Sequence, residues 1–230
     1  KLSGVWIMAY TTIDDPSAYF QTTIYTGSGS DNTAITNVGN SDLQPDFIWI
    51  KKRSATGQHV LSDTNRGILK VLNTNSTAAE DSNSEGEMVK SVQSNGFTLG
   101  DSQAGQGDTN YTSGGTYVAW QWKANGGTTA SNTDGSITST VQANTTAGFS
   151  IVTFTGTGND GDSYGHGLSS APELVFPKRR DAISNWQGYA FDGGNSQYFY
   201  LNLTNAFVST SGNSAASSSS VITTDGSGDS

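Results

Sequence analysis

The sequence predicts an all-β fold made of antiparallel, jelly-roll-like β-sandwich modules arranged in tandem. Three observations predict it. Short apolar runs recur roughly every 10 to 20 residues between turns rich in Gly, Asn and Asp, and no helical period lasts longer than a turn or two. The 9 Tyr, 9 Phe and 5 Trp supply enough large apolar side chains for a packed core. An internal repeat indicates that the module occurs twice.

The repeat consists of four blocks that occur in the same order in both halves of the chain. The first is an aromatic strand followed by a Gly-x-Gly turn, and the second is a strand with a proline and an acidic residue before it and basic residues after it. The four blocks pair as follows: 18–29 with 147–158, 43–53 with 170–180, 59–63 with 188–192, and 72–75 with 201–204. Because the four blocks keep the same order in both halves, the sequence predicts two copies of one β-module.

The repeat predicts the domain boundaries. We place a first module at 1–124, a linker at 125–135 and a second, incomplete module at 136–230, because the linker is rich in Gly, Ser, Thr and Asn. The second copy lacks a counterpart of the strand Thr116–Trp122. We expect that strand to be internal in its sheet, and we expect the gene product to continue beyond Ser230.

Alternation along the predicted strand Thr116–Trp122 places Trp120 and Trp122 on one face of the sheet. Packing in the core is one interpretation of this pair, and a platform on which a sugar stacks is the other. A proline cannot donate to a central β-ladder, so Pro177 predicts an edge strand or a strand that ends there.

Composition and charge narrow the class of protein. Hydrophobic residues make up 33% of the chain and charged residues only 13%, with 28 glycines, which is typical of secreted or virion β-proteins rather than of cytosolic enzymes. The formal charge of -9 repels a phosphate backbone, so we expect no nucleic-acid partner. We interpret the basic runs at 51–53 and 178–180 as solvated strand ends.

Two further features bear on stability and location. The chain contains no cysteine, which excludes disulfides, a thiol nucleophile and thiolate metal sites. The apolar run at 5–10 is too short to span a membrane or to act as a signal peptide. We therefore expect no membrane insertion, and we interpret Lys1 as a mature or internal start.

No catalytic constellation is visible. The two histidines, His59 and His166, lack metal-ligand spacing, and we interpret them as a strand residue and as a residue that makes a turn hydrogen bond. No nucleophile elbow of the Gly-x-Ser-x-Gly type joins a strand to a helix. Three of the four glutamates, at 80, 85 and 87, fall in a segment that we interpret as a solvated loop, so a facing pair of glycosidase carboxylates is not indicated. We predict that the protein is not an enzyme.

Two acidic loops are candidate calcium sites. One contains Asp160 and Asp162, and the other begins at Asp192. Neither reproduces the spacing of an EF-hand, and turn formation by Asp, Asn and Gly explains both loops without a metal. We therefore predict no required cofactor, with calcium at these loops as the alternative.

Several motifs resemble those of a known family. They are DPSAYF at 15–20, YTGSG at 25–29, GNSDLQPDFIWIK at 39–51, YVAWQW at 117–122, GHGLSSAPELV at 165–175 and KRRD at 178–181. Across about residues 10–205 the chain resembles an uncharacterised repeated domain of tailed-phage virion proteins that is common in marine phages. The resemblance implies a jelly roll of the concanavalin or laminin-G type and a place on the outside of a virion.

The resemblance and the missing catalytic groups together predict a non-enzymatic virion structural protein at the extracellular surface of the particle, in a tail fibre, an appendage or a capsid decoration. Expected partners are other virion proteins and further copies of the chain. The alternative is a carbohydrate-binding adhesin that recognises a host surface glycan, with Trp120 and Trp122 as the candidate contact residues. A tailspike that degrades polysaccharide is the third hypothesis.

Overall fold

The computed structural model describes residues 13–82, 87–101, 108–111, 113–192, 195–209 and 215–224. The predicted all-β class is confirmed, since these residues form 19 strands, one short 3₁₀-helix and no α-helix. Within the same residues no helix is long and apolar enough to cross a membrane.

The first half contains the 3₁₀-helix and nine strands. Their bounds are Pro16–Ala18 for the helix, then β1 Phe20–Thr26, β2 Thr33–Thr36, β3 Phe47–Lys52, β4 His59–Asp63, β5 Lys70–Asn73, β6 Asp81–Ser82, β7 Val89–Gln93, β8 Gly96–Leu99 and β9 Thr116–Trp122. The Asp15 side chain caps the helix by accepting a hydrogen bond from the Ser17 amide at 2.9 Å, and Pro16 suits its first turn. Tyr19 alone separates this helix from β1.

The second half contains ten strands. Their bounds are β10 Ala130–Asn132, β11 Ser139–Asn144, β12 Phe149–Phe154, β13 Ser163–Gly165, β14 Leu174–Val175, β15 Gln187–Asp192, β16 Asn195–Tyr200, β17 Val208–Ser209, β18 Ala216–Ser217 and β19 Val221–Thr223. They form three antiparallel sheets in the orders β10-β11-β12, β13-β19-β18 and β14-β15-β16-β17.

The strands of the first half form two antiparallel sheets. One has six strands in the order β1-β9-β3-β4-β5-β6, and the other has three in the order β2-β8-β7. The expectation that Thr116–Trp122 is internal is confirmed, because β9 pairs with β1 on one side and β3 on the other. Trp122 pairs with Phe20 in β1 and with Phe47 in β3, so the register brings these three aromatic residues together.

The main core lies between the six-stranded and the three-stranded sheet. Its buried side chains are Tyr25, Ile35, Ile48, Ile50, Val89, Phe97, Leu99, Tyr117 and Ala119. Full burial of a large aliphatic or aromatic side chain contributes about 1.5 to 3 kcal/mol. Polar residues on the same inner face bond to one another, since the Asn37 Oδ1 atom accepts from Thr23 Oγ1 at 2.7 Å and from Gln121 Nε2 at 2.6 Å. These three polar side chains therefore satisfy one another within the core.

Two features of the second half bear on the repeat. The prediction for Pro177 is confirmed, because β14 is the edge strand of its sheet and ends at Val175. The order β14-β15-β16 parallels β3-β4-β5. β14 and β15 fall in the blocks that correspond to β3 and β4, whereas β16 ends at Tyr200, just before the block 201–204 that corresponds to the end of β5. By contrast β12, the counterpart of β1, pairs with β11. The placement of the module boundaries stays a prediction.

The segment proposed as a linker is tied to the first half. The buried Asp46 carboxylate accepts hydrogen bonds from the amides of Ala124, Gly126 and Gly127 at 2.8, 2.8 and 2.6 Å. Gly126 and Gly127 have φ values of 60° and 80°, which glycine adopts without strain. Beyond this turn, β10 pairs with β11, so part of the segment is a strand.

Candidate functional site

A cleft lies between part of the six-stranded sheet and the second half of the chain, beside places where the two are packed together. Its volume is about 680 Å³, which is within the range of ligand-binding pockets. We call it the interlayer cleft. The sheet contributes Phe47, Trp49, Leu61, Leu72 and Trp122, and the second half contributes Phe149, Ile151, Lys178, Arg180, Trp186 and Leu201 among others.

The alternation of β9 explains why aromatic rings line the cleft. Tyr117, Ala119 and Gln121 are fully buried on the side of the main core. Trp120 and Trp122 therefore lie on the opposite face, as the sequence predicts. Of the two, only Trp122 lines the cleft.

The two tryptophans have different surroundings. Trp120 packs on Trp49, its cross-strand partner, with 5.6 Å between ring centroids. Trp122 contacts Phe20 at 4.7 Å, Phe47 at 5.3 Å and Phe149 at 5.8 Å between centroids. The contact with Phe149 joins the two halves of the chain, so Trp122 takes part in packing and also lines the cleft.

Four charged side chains form a network beside the cleft, which we call the charged network: Asp63, Arg66, Glu80 and Arg180. Arg66 donates from Nε to Asp63 at 2.5 Å and from Nη1 to Glu80 at 2.9 Å. Arg180 donates to both oxygens of Glu80, at 2.8 Å each. Arg66 and Asp63 expose only 4% and 3% of their side chains. The network connects the turn after β4 with the segment after β14.

Glu80 stays ionised in this network. Burial alone opposes ionisation, but the hydrogen bonds from Arg180 and Arg66 outweigh it and lower the pKa of Glu80 below its usual value. The sequence interpretation of Glu80 as part of a solvated loop is wrong, because its side chain is only 11% exposed. The error has a physical origin, since Arg180 lies 100 positions from Glu80 and Arg66 lies 14 positions from it, so no local pattern reveals either partner.

Lys178 is the cation of the cleft that lacks an ion pair among the described residues. Its Nζ atom donates to the backbone oxygens of Arg179 at 2.8 Å and Thr77 at 3.4 Å. Burial and the neighbouring Arg179 charge lower the pKa of Lys178, and Asp181 opposes this only in part. The environment of this ammonium group therefore disfavours its charge.

The interpretation of the two basic runs as solvated strand ends is wrong for Lys52, which is 8% exposed and paired with Asp108 at 2.5 Å, and Lys178 is half-buried. It holds for Arg53, Arg179 and Arg180, which are exposed, although Arg180 also belongs to the charged network. The sequence of a basic run does not show which of its residues form ion pairs with carboxylates from elsewhere in the chain.

Two polar atoms of cleft-lining residues are buried without a hydrogen-bond partner. They are Nε1 of Trp49 and Oγ1 of Thr74. Trp186, by contrast, donates from Nε1 to the Asn73 carbonyl at 3.0 Å. A buried polar group without a hydrogen bond lowers the stability of the folded state by about 1 to 3 kcal/mol. Neither of these two atoms has a hydrogen-bond partner among the described residues.

The two histidines occupy the roles that the sequence indicated. His166 is 3% exposed; its Nδ1 atom accepts from the Leu168 amide at 3.1 Å, and its Nε2 atom lies 3.1 Å from the Ser218 carbonyl. The expected turn hydrogen bond is therefore confirmed. His59 is the half-buried first residue of β4, and burial together with Lys51 lowers its pKa.

The candidate calcium loop with Asp160 and Asp162 is held by hydrogen bonds. Asp162 accepts from the hydroxyls of Ser136, at 2.8 Å, and of Thr157. These two bonds lower the pKa of Asp162. Asp160 is exposed, and the side chain of Asp192 lies outside the described residues. In the described part of the chain no three His, Asp or Glu side chains are grouped to hold a metal ion.

A protein-family model described as a domain of unknown function (DUF7483) matches residues 15–230. No curated protein and no solved structure shows significant similarity to the chain. The family match extends across both halves of the chain and therefore across the interlayer cleft.

Proposed function

Since the chain belongs to the DUF7483 family, a domain of unknown function, we propose its function from its own geometry and from the motifs that resemble phage proteins. The proposal is a non-enzymatic structural protein of a phage virion. It is displayed at the particle surface in a tail fibre, an appendage or a capsid decoration.

The observation that carries the proposal is the use of charged side chains to connect the two halves. Glu80 accepts three hydrogen bonds from Arg66 and Arg180, and its pKa is lowered. A general acid needs the opposite, a raised pKa and a free proton to donate. Arg66 and Asp63 are also paired and buried. This arrangement supports a role in which the protein maintains a fixed shape.

The surface supports contacts with other proteins. Exposed large apolar side chains include Ile24, Leu174, Ile183 and Phe207, with exposed fractions of 63%, 51%, 78% and 57%. Ile24 lies on β1, which is at the edge of the six-stranded sheet. Sheet edges and exposed apolar side chains are places where β-proteins associate. Proposed partners are other virion proteins and further copies of this chain.

Mass spectrometry of purified virions of the phage that encodes the chain tests this proposal. Peptides of the chain are expected at a ratio to the major capsid protein that stays constant through density-gradient purification. Their absence from infectious particles, with the chain present in the infected-cell lysate, would contradict the proposal.

The interlayer cleft favours a second candidate function, a carbohydrate-binding adhesin that recognises a host surface glycan. Trp49, Trp122 and Trp186 line a cleft of about 680 Å³, and large aromatic rings combine apolar area with a polar edge. Incubation of the full chain with host lipopolysaccharide and purified host glycans tests it. Saturable binding without release of oligosaccharide is expected, whereas release of oligosaccharide would indicate the degrading tailspike instead.

A further inference from the structure

We propose that the interlayer cleft binds an acidic sugar, a pyranose ring that carries a carboxylate, with Lys178 as the counter-ion of that carboxylate. The inference rests on the glycan-binding candidate function and specifies its ligand. Three features of the cleft carry it: its aromatic lining, a cation that bonds to backbone oxygens rather than to a carboxylate, and hydroxyl-bearing side chains beside the rings.

The aromatic lining comes from both sides of the cleft. Trp49 and Trp122 belong to the six-stranded sheet, and Phe149 and Trp186 belong to the second half. Trp122 and Phe149 stack on each other, with 19° between their ring planes, so their facing sides are closed to a ligand. Trp186 is 4% exposed, whereas Trp49, Trp122 and Phe149 are half-buried. The C–H face of a pyranose can pack on the accessible part of these half-buried rings, while its hydroxyl groups remain available to polar neighbours.

The charges of the cleft favour an anion. The cationic side chains in the lining are Arg66, Lys178 and Arg180, and the anionic ones are Asp63 and Glu173. Asp63 is paired with Arg66, and Glu173 is exposed to solvent, which screens it. Arg180 is paired with Glu80.

Lys178 is left with bonds to backbone oxygens only. Its pKa is lowered because burial and the neighbouring Arg179 charge outweigh the attraction of Asp181, a carboxylate that pairs with Arg179. A ligand carboxylate beside Nζ restores that compensation through a charge-assisted hydrogen bond. The cation therefore selects a ligand with a negative charge.

The polar part of the lining favours a hydroxylated ligand over a purely apolar one. Three residues that carry hydroxyl groups, Ser150, Thr153 and Ser170, line the cleft beside the aromatic rings. A fatty acid would meet the apolar lining and Lys178 but would make no hydrogen bonds to these hydroxyl groups. Sugar hydroxyls can act as donor and acceptor at once, so an acidic sugar can contact the aromatic rings, Lys178 and the polar part of the lining.

Isothermal titration calorimetry on the full chain tests the inference, with digalacturonate, the neutral disaccharide digalactose and sodium dodecanoate as probes. We expect digalacturonate to bind about tenfold or more tightly than digalactose, since one charge-assisted contact is worth about that factor. Equal affinity for the two disaccharides, or binding of dodecanoate without binding of digalacturonate, overturns the inference. So does the absence of binding to all three probes.

Variants locate the effect. Lys178→Gln is expected to weaken digalacturonate binding about tenfold and to leave digalactose binding unchanged, whereas Lys178→Arg keeps the preference for the acid. The matched control is Lys90→Gln, which removes the same charge at a site outside the cleft, where Lys90 pairs with Asp31 at 2.7 Å. If Lys178→Gln and Lys90→Gln weaken digalacturonate binding equally, the role of Lys178 is overturned, because the loss of affinity would then reflect only the net charge of the protein.

A failure of the acidic-sugar inference can be told apart from a failure of the adhesin and virion proposals. If host glycans bind the chain but digalacturonate is not preferred, the acidic-sugar inference fails and the adhesin candidate stands. If no host glycan binds, the adhesin candidate fails as well. The virion proposal is decided by the composition of the particle in either case.

Discussion

Glu80 and Arg180 are separated by 100 positions in the sequence and meet in a bidentate ion pair. The Nη2 and Nε atoms of Arg180 each lie 2.8 Å from a carboxylate oxygen of Glu80. Planar, two-point contacts of this kind fix orientation as well as distance. The pair therefore connects the second half of the chain with the residue just before β6 of the six-stranded sheet, beside the interlayer cleft.

Replacement of Glu80 tests that role. Glu80→Gln removes the charge that compensates Arg66 and Arg180, so we expect a loss of about 2 to 4 kcal/mol in the free energy of unfolding, near the range for breaking a buried pair. Urea denaturation at pH 7 measures it. Asp181→Asn is the control, because it removes a carboxylate from the exposed Arg179–Asp181 pair and should leave the unfolding midpoint unchanged. Equal effects of the two changes would refute the importance of the buried position.

The pH dependence of stability follows from the same pair. The pKa of Glu80 is lowered in the folded state, so its contribution is complete above the unfolded value of about 4.3 and is lost as the pH falls through the folded pKa. We expect the wild type to lose stability more steeply than Glu80→Gln below about pH 4.3. Denaturation curves at pH 7, 4.5 and 3.5 compare the two proteins. If the stabilities of the two proteins fell in parallel with pH, the lowered pKa of Glu80 would be contradicted.

Thr74 allows a test in which the same substitution has opposite effects at two sites. Thr74→Val removes a buried hydroxyl without a partner, so we expect a gain of about 1 kcal/mol in the ligand-free protein. Thr23→Val removes a buried hydroxyl that donates to Asn37 at 2.7 Å, and we expect a loss of about 1 to 2 kcal/mol. Thermal unfolding of both variants measures the two signs. A loss of stability in Thr74→Val would show that its hydroxyl has a partner.

Phe149 tests the aromatic contact between the halves. Phe149→Ala removes the ring that stacks on Trp122 at 5.8 Å and packs on Phe47 at 5.6 Å. We expect a loss of about 2 to 4 kcal/mol and a red shift of the tryptophan emission, because water gains access to the indole. Ile24→Ala, at a side chain that is 63% exposed, is the control and should change neither quantity. An unchanged emission spectrum in Phe149→Ala would contradict the described packing.

The fold could be predicted largely because it depends on local patterns. Alternation along β9 placed Trp120 and Trp122 on one face, and Pro177 marked the end of β14, since both signals act over a few residues. The cleft could not be predicted in the same way. Lys178 and Glu80 sit in sequence contexts typical of solvated segments, and only the tertiary fold makes them buried or half-buried.

Surface labelling of intact virions tests the proposed function most directly. Purified particles are treated with a membrane-impermeant amine reagent, and labelled peptides are identified by mass spectrometry. We expect labelled lysines of this chain in intact particles at a level close to that in particles opened by denaturant, as for a protein on the outside of the virion. Labelling that appears only after the particles are opened, or no peptides of the chain at all, would contradict the account.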